Sequence, residues 1–442
     1  MLSLLEGQPI LKQEGERVVG LAPEGNDERG LAKIFCLHAG SGRPKKMIKV
    51  GIIGCGKMAD QHGFQIQRIP GAEITGVCDS EPLMARQMAE RFNIGKHFTN
   101  VQEMLDAVKL DVIHITTPPA SHYQLGKRCL EGGCNVYIEK PFTLNTSEAE
   151  DLIGLANQKG LKVTAGHNAQ FTHVMVQMRE LVKTGYLGGK PVHMESHYCY
   201  DFGDESYAKA LLGDSDHWVR KLPGSLLQNI ISHGISKIAE FFSSDNPVVI
   251  TQGFTSQFLK NIGENDIVDE VRVIIRDEDS TTAYFTFSSQ IKPAPHQFRL
   301  YGPKNSLIVD DDHQILIKIA NKEYKSYLGY FIPPFEYAKQ YVENFGRNFK
   351  KFLMRDFHLP NDAALKTLIE SFYRSIVDNT PLPLSYKEIL LTSRIMDDIF
   401  AQIKNQQVPR ENKEYQDTFR SSHDNYNNSS MSEFEGVRNN AI

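Results

Sequence analysis

The sequence predicts an α/β protein: a doubly wound parallel sheet in its N-terminal part, then an α/β region whose sheet is antiparallel or mixed. Three observations predict it. Short β-branched runs alternate with helical stretches between Ile48 and Ala165, the pattern of βαβ units. A glycine turn, Gly54-Cys55-Gly56, lies between the first such run and the first helical stretch. After about residue 188 strand signals follow one another with a single helical stretch among them, and strands joined without helices pair antiparallel or in a mixed sheet.

The elements follow in order. Ile48–Ile53 is a continuous apolar run, as a parallel strand buried on both faces requires. Lys57–Arg68 has apolar residues at helical spacing and stops at Pro70-Gly71. Ala72–Asp79 is the second strand, Pro82–Phe92 a helix with proline at its start, and Asp111–Thr117 a strand closed by Pro118-Pro119. Ser121–Glu131 is a helix ended by Gly132-Gly133, Asn135–Ile138 a strand, Ser147–Lys159 a helix, and Leu161–Ala165 a strand. The later strand runs are Pro191–His197, Val248–Phe258, Ile267–Arg276, Thr281–Ser288, Gln297–Tyr301, Ser306–Val309 and Ile315–Ile319, with one helix at about Leu226–Phe242. Pro333–Phe352, Ala363–Asn379 and Tyr386–Ile403 have helical spacing.

Composition narrows the function. A chain of 442 residues, 40% hydrophobic and 23% charged, has the make-up of a globular enzyme of two domains. The net charge of -5 offers nothing to nucleic acid or an anionic membrane. No apolar run reaches the roughly 20 residues of a membrane-spanning helix. Cys36, Cys55, Cys78, Cys129, Cys134 and Cys199 are scattered and form no C-x-x-C pair. A reducing, cytoplasmic compartment is therefore expected, with no zinc site and no disulfide framework. His193 and His197 share a strand face but have no carboxylate pattern beside them, so no metal is expected. Residues 1–46 end in the turn-rich, basic Gly40–Lys46 and read as a mobile extension outside the fold; 409–442 are rich in Asn, Ser and Asp and read as a disordered tail.

The glycine turn carries the first chemistry. Gly54-Cys55-Gly56-Lys57-Met58-Ala59 is G-x-G-x-x-A, after a strand and before a helix. Gly54 permits the tight turn, Gly56 lets a pyrophosphate approach the backbone, and Ala59 lets the helix pack close to the sheet. The helix start offers free N–H groups and the positive end of its dipole to phosphates. Gly54, Cys55, Gly56, Lys57 and Met58 are thus the candidate phosphate-side contacts of a Rossmann dinucleotide site. Asp79 ends the second strand about 20 residues later, where a carboxylate bonds ribose hydroxyls. Ser80 and Glu81 follow it, with no Arg or Lys to meet a 2′-phosphate, which favours NAD over NADP. The plainer reading, an ordinary turn with Asp79 capping a helix, leaves the linked spacing unexplained.

Thr117-Pro118-Pro119, His122, Gly133-Cys134-Asn135-Val136 and Glu139-Lys140-Pro141 together resemble the hallmark stretch of the glucose-fructose oxidoreductase / inositol dehydrogenase (Gfo/Idh/MocA) family. The resemblance covers about residues 47–400. It implies an open, mostly antiparallel second sheet, and cofactor contacts at Thr117, Pro118, His122, Glu139 and Lys140. It also implies that Lys140 is catalytic. A lysine at the C-terminal end of a sheet strand stands where open α/β sheets bind ligands, and its ammonium can stabilise an alkoxide. Pro223–His233 matches the family's glycine turn and D-x-G-x-H helix, with His233 as the histidine, Asn229 in place of the Asp and Ile231 in place of the Gly. Residues i and i+4 share a helix face, so Asn229 and His233 can reach one substrate. His233 is suited to accept a hydroxyl proton. His167 and Asn168 match a substrate-lining segment, with Gln170 where relatives have Arg. Trp218 and Arg220 offer stacking and cationic contacts to a sugar.

The expected organisation is an NAD-binding domain over 47–170 and a substrate-binding and oligomerisation domain over 171–408. The expected function is NAD-dependent oxidation of a secondary hydroxyl on a sugar, polyol or nucleotide-sugar, by a homodimer or homotetramer. Two alternatives are a glycoside hydrolase that uses bound NAD transiently and a non-catalytic NAD-binding sensor or scaffold.

Overall fold

The computed structural model describes residues 47–214, 216–353 and 360–407. The expectations for 1–46, including Cys36, and for 409–442 lie outside the described residues.

The first sheet has six strands, all parallel: β1 Ile48–Ile53, β2 Ala72–Cys78, β3 His97–Phe98, β4 Val112–Ile115, β5 Asn135–Ile138 and β6 Val163–Ala165. Their order is β3-β2-β1-β4-β5-β6. The order reverses between β1 and β4, and ligands of such sheets bind at the carboxyl ends of the strands beside that point. Val50, Ile52, Ile113 and Val136 are fully buried because helices cover both faces.

The second sheet has seven strands: β7 His193–Tyr198, β8 Val248–Phe254, β9 Glu270–Arg276, β10 Thr282–Ser288, β11 His296–Tyr301, β12 Asn305–Asp310 and β13 Ile315–Ala320. The order is β13-β12-β11-β7-β10-β9-β8. Every pairing is antiparallel except β7 with β10. One face packs on the helices at Ser225–Ile230, Ser232–Ala239 and Tyr386–Gln407, burying Phe285, Phe298, Ile235 and Ile399. The doubly wound parallel sheet and the open, mostly antiparallel sheet are both present.

Several elements differ from expectation. The helix at Leu226–Phe242 is two helices, Ser225–Ile230 and Ser232–Ala239. At Ile231 the ladder tightens, with Gly234 N–H donating to the Ile231 carbonyl at 3.0 Å. The strand expected to run to Phe258 ends at Phe254, because Ser256 caps a short helix, Gln257–Asn261, by accepting from Leu259 N–H. The helix expected from Pro333 begins at Leu328 and holds Pro333 and Pro334 within it. Helices at Val101–Ala107, His173–Lys183 and Glu205–Leu212 were not anticipated.

The core under the first sheet is not contiguous in sequence. Leu365, Leu368, Ile369, Phe372 and Tyr373, on the helix Pro360–Val377, are buried in it beside Ile113 and Tyr137. A segment more than 200 residues downstream thus closes the first sheet.

Candidate functional site

Gly54 and Gly56 do different work. Gly54 has φ +90°, and a Cβ there would lie 2.7 Å from Thr117 Cγ2 and 2.9 Å from the Thr117 nitrogen. Only glycine fits. Gly56 has an ordinary φ of -82° and caps the Lys57–Ile66 helix without any side-chain bond. A Cβ on Gly56 would meet nothing within 4 Å. The intrahelical bonds begin with Asp60 N–H to the Gly56 carbonyl, which leaves the preceding N–H groups to a ligand. Open space in front of an uncapped helix start is what a dinucleotide pyrophosphate requires, so the residues present fit NAD.

Asp79 closes this turn. Its Oδ2 accepts from Cys55 N–H at 2.6 Å and its Oδ1 from Glu81 N–H at 2.9 Å. A carboxylate has about four acceptor positions, so about two remain for ribose hydroxyls. Cys55 differs from its expected role as a phosphate contact. Its amide is taken by Asp79 and its side chain is buried, with the thiol pushed up to about 12 by burial and by Asp79. Lys57 and Met58 open the helix as expected.

His122 is buried between two carbonyls, with Nε2 2.8 Å from the Thr117 oxygen and Nδ1 2.9 Å from the Pro141 oxygen. It ties the turn after β4 to the turn after β5, and so positions Thr117 and Pro118 against Lys140 and Pro141 rather than facing a ligand itself. Ser121 Oγ donates to Thr117 Oγ1 at 2.7 Å. The Lys140–Pro141 peptide is cis.

Lys140 leaves the end of β5, and its Nζ donates to the Asn229 carbonyl at 2.8 Å and to Asn229 Oδ1 at 3.1 Å. Burial lowers its pKa from the ordinary lysine value, against the opposing charge of Glu139. His167 follows β6 and is buried, with no hydrogen-bond partner at Nε2. Burial pushes it down to about 4. His233 is buried, with no partner at Nδ1, and lies 5.4 Å from Tyr198 between ring centroids. Burial, then the charge of Lys140, hold it well below the ordinary imidazole value. The elements therefore bring Lys140, Asn229, His167 and His233 into one electrostatic neighbourhood, although Asn229 and His233 stand on two helices rather than one. Ile231, in the family's glycine position, is fully buried in the second core. A small cleft of about 10 Å³, open to solvent, is lined by Pro141, Asn145, His167, Gln228, Ser232 and Asp397.

Other expected contacts are placed differently. Arg220 makes a two-pronged pair with Glu264, at 2.8 and 2.7 Å, and also donates to the Gly213 carbonyl. To bind a substrate anion it would have to give up that pair. Trp218 sits on a short 3₁₀ turn with its ring 5.5 Å from His217. Asn168 opens the 3₁₀ turn after His167, and Gln170 donates to Glu240, which Arg179 also engages. Among the described residues no group of three or more His, Cys, Asp or Glu is placed to hold a metal.

One buried chain was missed entirely. Glu139 Oε1 lies 2.8 Å from His62 Nε2; His62 Nδ1 lies 2.7 Å from His114 Nδ1; His114 Nε2 lies 2.8 Å from the Tyr373 hydroxyl. Tyr137 stacks on His114 at 4.7 Å. With both rings neutral, every proton points one way, from Tyr373 O–H through His114 and His62 to the Glu139 carboxylate. Burial raises the Glu139 pKa, but the His62 hydrogen bond and Lys140 outweigh it and the net shift is downward. His62 precedes Ile66 by four on a helix whose other buried positions are Ala59, Gly63, Gln65 and Ile66, and that spacing was the local signal. Its partners are 52, 77 and, for the Tyr373 end, 259 residues apart in sequence.

Residues 48–167 match the model of the Gfo/Idh/MocA family, described as an oxidoreductase family with an NAD-binding Rossmann fold. Oxidoreductase P35 of Formosa agariphila is 30% identical over 142 residues, 32% of this chain and 44% of that protein. The D-glucoside 3-dehydrogenase of Escherichia coli is 32% identical over 142 residues, 32% of this chain and 40% of that protein. The chain thus spans less than half the length of these curated relatives. Across the fold, the crystal structure of an NAD binding oxidoreductase from Klebsiella pneumoniae superposes with a TM-score of 0.65 at 16% identity, covering 81% of this chain and 97% of that one. The glycine turn, the Glu139-Lys140-Pro141 strand end and these matches agree: residues 48–167 form the NAD-binding Rossmann domain of the Gfo/Idh/MocA oxidoreductase family.

Proposed function

We propose that this chain is an NAD-dependent oxidoreductase that moves a hydride between nicotinamide and a secondary hydroxyl of a sugar, polyol or nucleotide-sugar. The observation that carries the reading is the placement of Lys140 Nζ, held by Asn229 at the end of β5, beside two buried histidines with unpartnered ring nitrogens. When bound, NAD supplies the hydride acceptor. Lys140 donates to the reacting oxygen and stabilises it as it becomes an alkoxide. His233 is neutral in the resting protein and takes the hydroxyl proton. Asn229 holds the lysine without adding charge, so it does not raise the Lys140 pKa as a carboxylate would. His167, Asn168 and Trp218 are the proposed substrate contacts. Arg220 joins them only if Glu264 releases it. Asp79 reads the ribose of NAD, and its neighbours Ser80 and Glu81 offer no cation to NADP.

The surroundings fit a small-molecule enzyme. Among the described residues no helix is long and apolar enough to cross a membrane. The described cysteines are all free and buried, which supports a reducing, cytoplasmic setting. The outer face of the second sheet exposes Ile250, Ile274 and Tyr284, a surface suited to a homodimer or homotetramer.

The test is to incubate the full chain with NAD and a panel of polyols, free sugars and nucleotide-sugars, and to follow reduced nicotinamide. Reduction with at least one member, lost in Lys140→Ala, is expected. Aglycone release from glycosides without net reduced cofactor would move the assignment to a hydrolase with internal redox. No turnover of any kind, with tight NAD binding, would leave a sensor or scaffold.

A further inference from the structure

The Leu328–Leu353 helix is amphipathic in the inverted sense: its polar side meets the protein. It lies along β13, the edge strand of the second sheet, and binds it through side-chain amides. Lys318 N–H donates to Gln340 Oε1 at 2.7 Å and Gln340 Nε2 donates back to the Lys318 carbonyl at 3.0 Å. Asn344 makes the same pair of bonds with Leu316, both at 3.0 Å, and Asn348 Nδ2 donates to the His313 carbonyl at 3.0 Å. Four residues of helix rise about 6 Å and two residues of strand about 6.7 Å, so amides spaced by four meet alternate strand residues. The free edge of the sheet is thereby satisfied by side-chain amides.

The opposite side of the same helix is apolar and open. Phe331, Phe335, Val342, Phe345 and Phe349 are 50–73% exposed, and Ala338 is exposed with them. These six positions step by 4, 3, 4, 3 and 4 residues along the chain. That is an unbroken repeat of 3.5, the seam of a helix that pairs with another helix. A helix that only lies on a flat surface has no reason to hold the 3.5 period. With Tyr330, Tyr341 and Leu353, which are 54–81% exposed, the face offers on the order of 900 Å² of apolar surface. A stable dimer buries about 800 Å² per partner.

We propose that this helix is a self-association surface, pairing antiparallel with the same helix of a second copy of the chain along Phe331, Phe335, Ala338, Val342, Phe345 and Phe349. An antiparallel pair centred on residue 340 sets Phe331 opposite Phe349, Phe335 opposite Phe345 and Ala338 opposite Val342, so that all six positions lie in the seam. A parallel pair in register would stack Ala338 on itself and leave a void. Antiparallel helices also oppose their dipoles favourably. Such a contact is isologous and closes a two-fold. It is separate from the outer sheet face at Ile250, Ile274 and Tyr284, so the two together would build a tetramer.

The test is the mass of the full chain in solution by sedimentation velocity, for the wild type, Phe345→Glu and Ile274→Asp. Circular dichroism of each variant checks folding; both side chains are exposed. The wild type is expected to be a dimer or tetramer, and Phe345→Glu to halve its mass, with the sheet variant Ile274→Asp keeping the helix-mediated dimer. An assembled wild type whose mass Phe345→Glu leaves unchanged overturns the proposal. A monomeric wild type overturns it as well. Sedimentation of that monomer with phosphatidylglycerol vesicles would then assign the face to a membrane.

Discussion

The two sides of the site are built from different materials. The cofactor side is backbone: a turn that Gly54 alone can make, an open helix start at Gly56, and a carboxylate, Asp79, that holds the turn by accepting from Cys55 N–H. The proposed substrate side is buried side chains: Lys140 on Asn229, and His167 and His233 with unpartnered nitrogens. A backbone site tolerates side-chain drift provided its glycines stay. A side-chain site depends on burial, because burial is what keeps the histidines neutral and lowers the lysine. The difference teaches where each function can be damaged: the first side through shape, the second through charge.

That contrast can be broken by substitution. The largest expected effect is on chemistry. Lys140→Ala should lower kcat by about 10³-fold, within the range for loss of a positioned proton-transfer or oxyanion group, while the Kd for NAD changes by less than about threefold. Steady-state kinetics on an accepted substrate and calorimetric titration separate the two; a large loss of NAD affinity would place Lys140 on the cofactor side instead. Next come the two glycines. Gly54→Ala forces a Cβ against the Thr117 backbone at positive φ and should lower stability by on the order of 2 kcal/mol or more. Gly56→Ala meets nothing in the protein, so it should leave the unfolding midpoint of the apoprotein in place and weaken NAD about tenfold or more. Equal effects of the two on melting would erase the distinction between a turn residue and a ligand-facing one.

The pH dependence sharpens the other side. His167 has a folded pKa of about 4, and burial holds His233 well below the ordinary imidazole value too. The unfolded chain binds these protons near pH 6.5 and the folded chain does not, so their contribution to stability is full above about 6.5 and is lost as pH falls towards 4. Thermal midpoints measured between pH 7 and 4 should fall on acidification, and less so in His167→Gln; a midpoint that rises on acidification would mean that the histidines are charged in the fold. The smallest effect is expected from Tyr373→Phe. It strips the hydroxyl from His114 and should cost about 1–3 kcal/mol, with a modest change in kcat through Glu139, read by denaturant unfolding beside kinetics.

The cofactor side was largely legible in the sequence because it is local. G-x-G-x-x-A and Asp79 sit within one βαβ unit, and their chemistry follows from spacing. Cys55 is buried, as its place after an apolar strand predicts, but spacing marks the loop and not which amide is already bonded, and Asp79 takes the Cys55 N–H. On the substrate side Lys140 and His233 stood out, but only folding brings Asn229 to Lys140, across 89 residues. The break at Ile231 was hidden by an unbroken helical pattern. The pair that occupies Arg220 was hidden because Glu264 is 44 residues away. The relay through His62, His114 and Tyr373 was illegible for the same reason: each residue alone reads as core, and a helix near the C-terminus supplies the last link. The outward face of Leu328–Leu353 was visible as a periodic helix, but its direction depends on the amides that bind β13.

The most direct test of the account is calorimetric titration of the purified full chain with NAD and with NADP, repeated with Asp79→Ala. The wild type is expected to bind NAD at least tenfold tighter than NADP, and Asp79→Ala to weaken NAD and narrow the gap. A wild type that binds neither dinucleotide, or binds NADP the tighter, would contradict it.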